Sequence, residues 1–126
     1  MKRTAYSAPG AVAVGPYSHA VDAGDLVYLS GQTPIDPATG KLSTGGVGQQ
    51  TDQCLSNLFA VLSAAGLSPD NVIKANVYLT DMADFPAMNE AYARRFSQPH
   101  PARTTIGVAA LPLGARVEIE LVARKG

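Results

Sequence analysis

The chain has 126 residues, ten Lys and Arg against ten Asp and Glu, and a hydrophobic content of 46%. A chain of this length and balance reads as one domain, residues 1–126, that buries roughly two-thirds of the surface its unfolded form exposes. Net neutrality argues against a nucleic-acid partner, which calls for a basic face, and no run is long and apolar enough to span a bilayer, so no membrane partner is expected. Met1, Lys2 and Arg3 lead into no apolar run of the secretory kind. The lone Cys54 excludes an internal disulfide and suits a reducing, cytoplasmic setting. Only His19 and His100 could join it as soft ligands, and neither stands at a metal-binding spacing, so no metal is expected.

From the N-terminus, Arg3 to Ser7 reads as a short edge strand that ends at Pro9-Gly10. The stretch from Ala13 and Val14 through Gly15-Pro16-Tyr17 to Ala20 turns at Gly-Pro and leaves the tyrosine where the chain becomes extended. Ala20–Asp22 and Leu26–Gly31 read as a hairpin around Ala23-Gly24-Asp25. Residues 35–41, from Ile35 to Lys41, are turn chemistry throughout. Gly45, Gly46 and Gly48 then introduce a helix whose stripe is Val47, Thr51, Cys54, Leu55, Leu58, Leu62 and Ala65, with Gly66 placed to cap its end. No Gly-Lys-Ser/Thr and no dinucleotide fingerprint follow those glycines, so they serve the start of the helix and not a phosphate. Cys54 lies on the buried stripe and reads as an inert core thiol.

Val72 to Thr80 alternates, with Ile73, Ala75, Val77 and Leu79 on one face and Lys74, Asn76, Tyr78 and Thr80 on the other. Asp81 or Asp84 caps a second helix, which tolerates Pro86 in its first turn and carries Phe85, Met88, Asn89, Tyr92 and Phe96 on one stripe. An amide on that stripe requires a hydrogen-bonding partner. Pro101 to Leu121 forms two strands about a turn at Leu111-Pro112-Leu113-Gly114. The first sets Arg103, Thr105 and Gly107 on one side. The second sets Val117, Ile119, Leu121 and Ala123 on one side and Arg116, Glu118 and Glu120 on the other. A guanidinium and two carboxylates held on rigid strands would suit a small anion. Two helices can cover only one face of such a sheet. The other mixes Tyr, Thr, Arg and Glu with Val and Leu, which points to an oligomer that shares it.

Several fragments at fixed spacing carry a family resemblance. They are Gly15-Pro16-Tyr17, Ser30-Gly31-Gln32 with Pro34, Ala64-Ala65-Gly66-Leu67, Phe85 with Asn89, Pro101-Ala102-Arg103, Leu111-Pro112 and Val117-Glu118-Ile119-Glu120. In this order they resemble the Rid/YjgF family of reactive intermediate deaminases, once described as L-PSP endoribonucleases. The resemblance implies a chorismate-mutase-like α+β fold, a mostly antiparallel sheet with two helices on one face. It also implies a homotrimer with a shared barrel-like core and three clefts between subunits. The implied activity is cofactor-free hydrolysis of 2-imino acids and their enamine tautomers, such as 2-aminoacrylate, to 2-keto acids and ammonia. Its partners are small 2-imino and 2-keto carboxylates.

By the same resemblance, Arg103 pairs with the substrate carboxylate, a task for which guanidinium offers a planar two-pronged match. Gly31 lets backbone approach the substrate, with Ser30 beside it. Thr105 stands where the family often has cysteine and keeps the backbone amide that helps hold the carboxylate. Tyr17 and Asn89 line the cleft, and Glu118 is associated with the attacking water. The segment Ser97-Gln98-Pro99-His100 is shorter than in the best-known members. Read without the family, Arg103 is a surface ion-pair member, Glu118 and Glu120 a polar face or interface pair, and Tyr17 an interface aromatic. Two other functions share Arg103: a non-catalytic keto-acid-binding module, and a specialised enzyme such as an aminomuconate deaminase. A ribonuclease is disfavoured by neutral charge and by the lack of a catalytic histidine pair. A serine hydrolase on Ser30 lacks both its partners and its nucleophile elbow.

Overall fold

The computed structural model describes residues 2–9 and 15–126. In chain order its elements are β1 (Ala5–Tyr6), β2 (Ala20–Asp22), β3 (Leu26–Gln32), β4 (Ile35–Asp36), β5 (Lys41–Leu42), α1 (Val47–Ala64), β6 (Val72–Leu79), α2 (Phe85–Ala93), β7 (Ala102–Gly107) and β8 (Val117–Arg124). Six strands make one sheet in the order β1-β2-β3-β8-β6-β7, and β4 and β5 pair by themselves. Every pairing in the large sheet is antiparallel except that of β6 with β7, which is parallel.

The core lies between the sheet and the helices. Val27, Leu29, Ala75, Val77, Leu79, Val117, Ile119 and Leu121 face Cys54, Leu55, Leu58 and Leu62 of α1 and Met88 and Tyr92 of α2. Period-two alternation on the strands and 3.6-residue spacing on α1 produce that layer without further instruction. Gly46 precedes α1, and its N–H donates to Gln49 Oε1 at 3.0 Å, which satisfies one of the free donors at the helix start. At the other end Gly66, with φ +76°, closes a Schellman motif: Gly66 N donates to Ser63 O and Leu67 N to Leu62 O.

Four expectations are corrected. The sheet is open, with β1 and β7 as its edges, so the shared barrel-like core expected of a homotrimer is overturned. Among the described residues β1 has two residues and β7 pairs only with β6, so none of them joins the edges. Ile73 is exposed, not inward: β6 is bulged between Val72 and Lys74, and Val72 takes the buried place opposite Ala123. Residues 35–41 are not turn throughout, because Ile35 pairs with Leu42 and Asp36 with Lys41. The turn between them is held by Asp36, whose Oδ1 accepts from Ala38 N and whose backbone O accepts from Gly40 N. Finally, Asp81 accepts from Ala83 N in the short turn before α2, while Asp84 holds the N-cap position of α2 without a side-chain capping bond and forks with Arg116 at 2.7 and 3.1 Å. The expected turn residues Gly10, Ala13 and Val14 lie outside the described residues.

Candidate functional site

Where β3 ends and β8 begins, the described residues enclose a cavity of ≈ 500 Å³ lined in part by Tyr17, Ser30, Gly31, Glu118 and Glu120. A bulge shapes it. Leu29 pairs with Leu121 and Gln32 with Ile119, so Ser30 and Gly31 together stand against Glu120. Bulges of this kind re-aim side chains and bend the strand. The Ser30 hydroxyl is spent on structure, since it donates to Ser18 O at 2.6 Å while Ser30 N donates to His19 O. Gly31 makes room: a Cβ there would lie 2.7 Å from Glu118 Oε2 and 3.1 Å from its carboxyl carbon.

Burial first, and the Glu120 carboxylate second, raise the Glu118 carboxyl above its ordinary value. Glu120 is tied down by its neighbours on β6: Tyr78 donates a short hydrogen bond to Oε1, and Asn76 Nδ2 donates to the same oxygen at 3.3 Å. The bond to Glu120 is the main reason that the Tyr78 phenol is pushed up to about 12. Glu118 is therefore a partly buried carboxyl beside a fixed negative charge, an environment suited to proton transfer. Beneath it, Cys54 Sγ donates to Gln32 O at 3.2 Å, and burial drives its thiol far above the usual range. Tyr17 is exposed at the cavity and meets the His19 ring edge-on at 6.2 Å.

Arg103, Thr105 and Asn89 stand elsewhere. In the parallel pairing Arg103 lies opposite Ala75 and Thr105 opposite Val77, which puts both on the helix side of the sheet. The Arg103 guanidinium sits 4.8 Å from the ring centre of Tyr92 and 5.6 Å from that of Phe85. Among the described residues no carboxylate pairs with it. On α2 and β7 three buried polar atoms lack hydrogen-bond partners among the described residues: Asn89 Oδ1, Tyr92 OH and Thr105 Oγ1. The partner expected for the Asn89 amide is thus not supplied to its oxygen within the described chain. Orphaned buried groups are rare and costly; the Tyr92 and Thr105 hydroxyls are free to donate, whereas Asn89 Oδ1 can only accept. Tyr92, read from the sequence as part of an apolar stripe, belongs to this cluster. The signal was its hydroxyl, three residues beyond Asn89 on one helix face.

The anticipated site residues therefore fall into two groups. Tyr17, Ser30, Gly31 and Glu118 gather at the cavity, while Arg103, Thr105 and Asn89 gather against α2. Glu118 opposes Tyr78 on β6 and Arg103 opposes Ala75, so the two side chains leave opposite faces of one sheet. Among the described residues no three His, Cys, Asp or Glu side chains converge as a metal site would require, and no helix is long and apolar enough to cross a membrane.

Comparisons with known proteins agree with this fold. The family model described as Endoribonuclease L-PSP matches residues 7–125. A goat protein named 2-iminobutanoate/2-iminopropanoate deaminase is 45% identical over all of this chain and 92% of its own length. The crystal structure of RidA from an Antarctic Psychrobacter superposes with a TM-score of 0.93 at 44% identity, covering 98% of this chain and 100% of that one. E. coli TdcF with bound serine superposes with a TM-score of 0.90 at 36% identity, covering 98% and 99%. The chain belongs to the Rid/YjgF family, the L-PSP endoribonuclease-like proteins.

Proposed function

We propose that this protein is an imine deaminase, hydrolysing 2-imino acids and their enamine tautomers, including 2-aminoacrylate, to 2-keto acids and ammonia in the cytoplasm. The observation that carries this proposal is Arg103: a guanidinium seated on two aromatic rings, without a carboxylate partner among the described residues. It supplies the planar fork that a 2-imino carboxylate needs. The close deaminase relatives support the same chemistry.

In the proposed reaction Arg103 and the Thr105 amide hold the carboxylate, and Asn89 and Tyr17 border the imine. Glu118 takes a proton from water as its oxygen bonds to the imine carbon. The same carboxyl returns that proton to the nitrogen, giving a carbinolamine; it then takes the proton of the new hydroxyl and passes it to the amino nitrogen as the carbonyl forms, the carbon–nitrogen bond breaks, and ammonia leaves with the keto acid. Water is the only co-reactant. Because Arg103 and Glu118 leave opposite faces of one chain's sheet, the complete site takes Glu118 from one subunit and Arg103 from a neighbour, in a homotrimer. The uncovered face supports that assembly: Tyr28 and Ile106 are 53% and 46% exposed on the side away from the helices.

The test is a coupled assay in which a dehydratase generates 2-aminoacrylate and its disappearance is followed. Wild-type protein accelerates the decay, and Arg103→Ala loses the acceleration by on the order of 10²-fold or more while keeping its fold. No acceleration by wild type, with keto acids still bound, would instead favour the binding module. A stable monomer in sedimentation would sink the shared site.

A further inference from the structure

Beside the polar groups of Glu118, Glu120, Gln32 and Asn57, the cavity has an apolar wall that includes Ile35, Pro37, Ala60 and Leu113. Its ≈ 500 Å³ is the volume in the single chain, before the neighbouring subunit brings Arg103 to the site. Leu113 is the unusual member of that wall. It has φ +61° and ψ 15°, and among the described residues it is the one non-glycine with a positive φ. Bulky side chains rarely take that conformation. Leu113 is nevertheless 61% exposed, so its strained backbone displays the side chain and does not bury it.

The turn around it has little freedom to tuck the side chain away. Gly114 N donates to Leu111 O at 3.3 Å, Ala115 N donates to Pro112 O at 3.1 Å, and Ala115 is buried. Strain held in place by its surroundings, with an apolar side chain aimed at a cavity, is characteristic of a recognition position. The imine carbon bears three substituents: the carboxylate, the nitrogen and the substrate's own side chain. Arg103 answers the first and Glu118 serves the second, which leaves the third for the apolar wall.

Resting on the deaminase assignment of the same site, we infer that Leu113 is a specificity-determining residue: it packs against an apolar side chain on the imine carbon, so that branched and aromatic 2-imino acids are favoured over 2-aminoacrylate. The side chain takes no part in the bond changes, so the balance of the hydrolysis is the same for each substrate.

The probes are pyruvate, 4-methyl-2-oxopentanoate and phenylpyruvate, the stable keto-acid products, titrated by calorimetry into wild-type protein, Leu113→Met, Leu113→Gly and Leu113→Lys. Wild type binds the two larger acids about tenfold or more tighter than pyruvate. Leu113→Gly and Leu113→Lys each erase about tenfold of that ratio, and Leu113→Met retains it. Because the side chain is exposed, all variants fold, which thermal unfolding verifies. Equal affinity for the three acids in wild type, or a ratio unchanged in both Leu113→Gly and Leu113→Lys, overturns the inference. Turnover of the matching imines, measured alongside, separates the two claims. The predicted ordering of affinities without turnover sinks the deaminase and leaves the role of Leu113 standing. Turnover of 2-aminoacrylate with a flat ordering does the reverse; no binding of any keto acid overturns the inference, and with no turnover the deaminase as well.

Discussion

Gly31 and Glu118 share a contact that no side chain at position 31 would permit, since a Cβ would stand 2.7 Å from Glu118 Oε2. The backbone of Gly31 does not require glycine for its own conformation, because its φ lies outside the positive range. Glycine is needed for the carboxyl that lies against it. Gly31→Ala therefore pushes the Glu118 carboxyl aside and lowers kcat by about 10²-fold, as small misplacements at a reacting centre do. Stability falls by no more than about 1–3 kcal/mol, since the displaced atoms end a flexible side chain. Initial rates and thermal unfolding of the same preparation check both; an unchanged kcat would remove Glu118 from the chemistry.

The raised Glu118 carboxyl sets the sign of two pH effects. As a proton acceptor it works when ionised, so kcat/KM climbs with pH along a limb above the usual carboxylate value of 4.5. Glu120→Gln removes the repelling charge and moves that limb to lower pH. Burial, the larger cause, keeps it above the ordinary value. For stability the folded state holds the Glu118 proton more tightly than the unfolded state. Stability therefore declines as pH rises through the window between the two pKa values, and Glu118→Gln abolishes that decline. Denaturant titrations across pH, beside a pH–rate profile, test both signs.

Asp22 works in the opposite direction. Lys125, the Gly24 N–H and the Tyr6 hydroxyl all bond to its carboxylate and lower its pKa from 3.8 to about 2. Its contribution is complete above 3.8 and disappears as pH falls through about 2. Asp22→Asn flattens stability over that interval. It also speeds amide exchange in β1, because Tyr6 loses its anchor. Acid titration of the variant against wild type, with exchange measured at neutral pH, checks the prediction.

Cys54 is fully buried, bonded to Gln32 O and deprived of thiolate character. Native protein leaves iodoacetamide unreacted at neutral pH, and unfolding in denaturant releases rapid labelling. Modification of the native protein at a rate near that of a free thiol would contradict the packing described here.

Elements whose rules are local are legible in the residues alone. Period-two alternation from Val117 to Ala123 makes a strand with one buried face, and the stripe from Val47 to Leu62 with Gly66 behind it makes a capped helix. The sequence also carried the fragments that identify the family. Alternation does not disclose which strand lies beside which, or where a partner strand omits a residue. The bulge at Ser30-Gly31 exists only against Leu121 and Ile119, and the one that exposes Ile73 exists only against β8. The separation of Arg103 from Glu118 was likewise decided by tertiary pairing. On β6, Ala75 opposes Arg103 and Tyr78 opposes Glu118; 75 and 78 differ by an odd number, so side chains that both look strand-borne in the sequence leave opposite faces of the sheet.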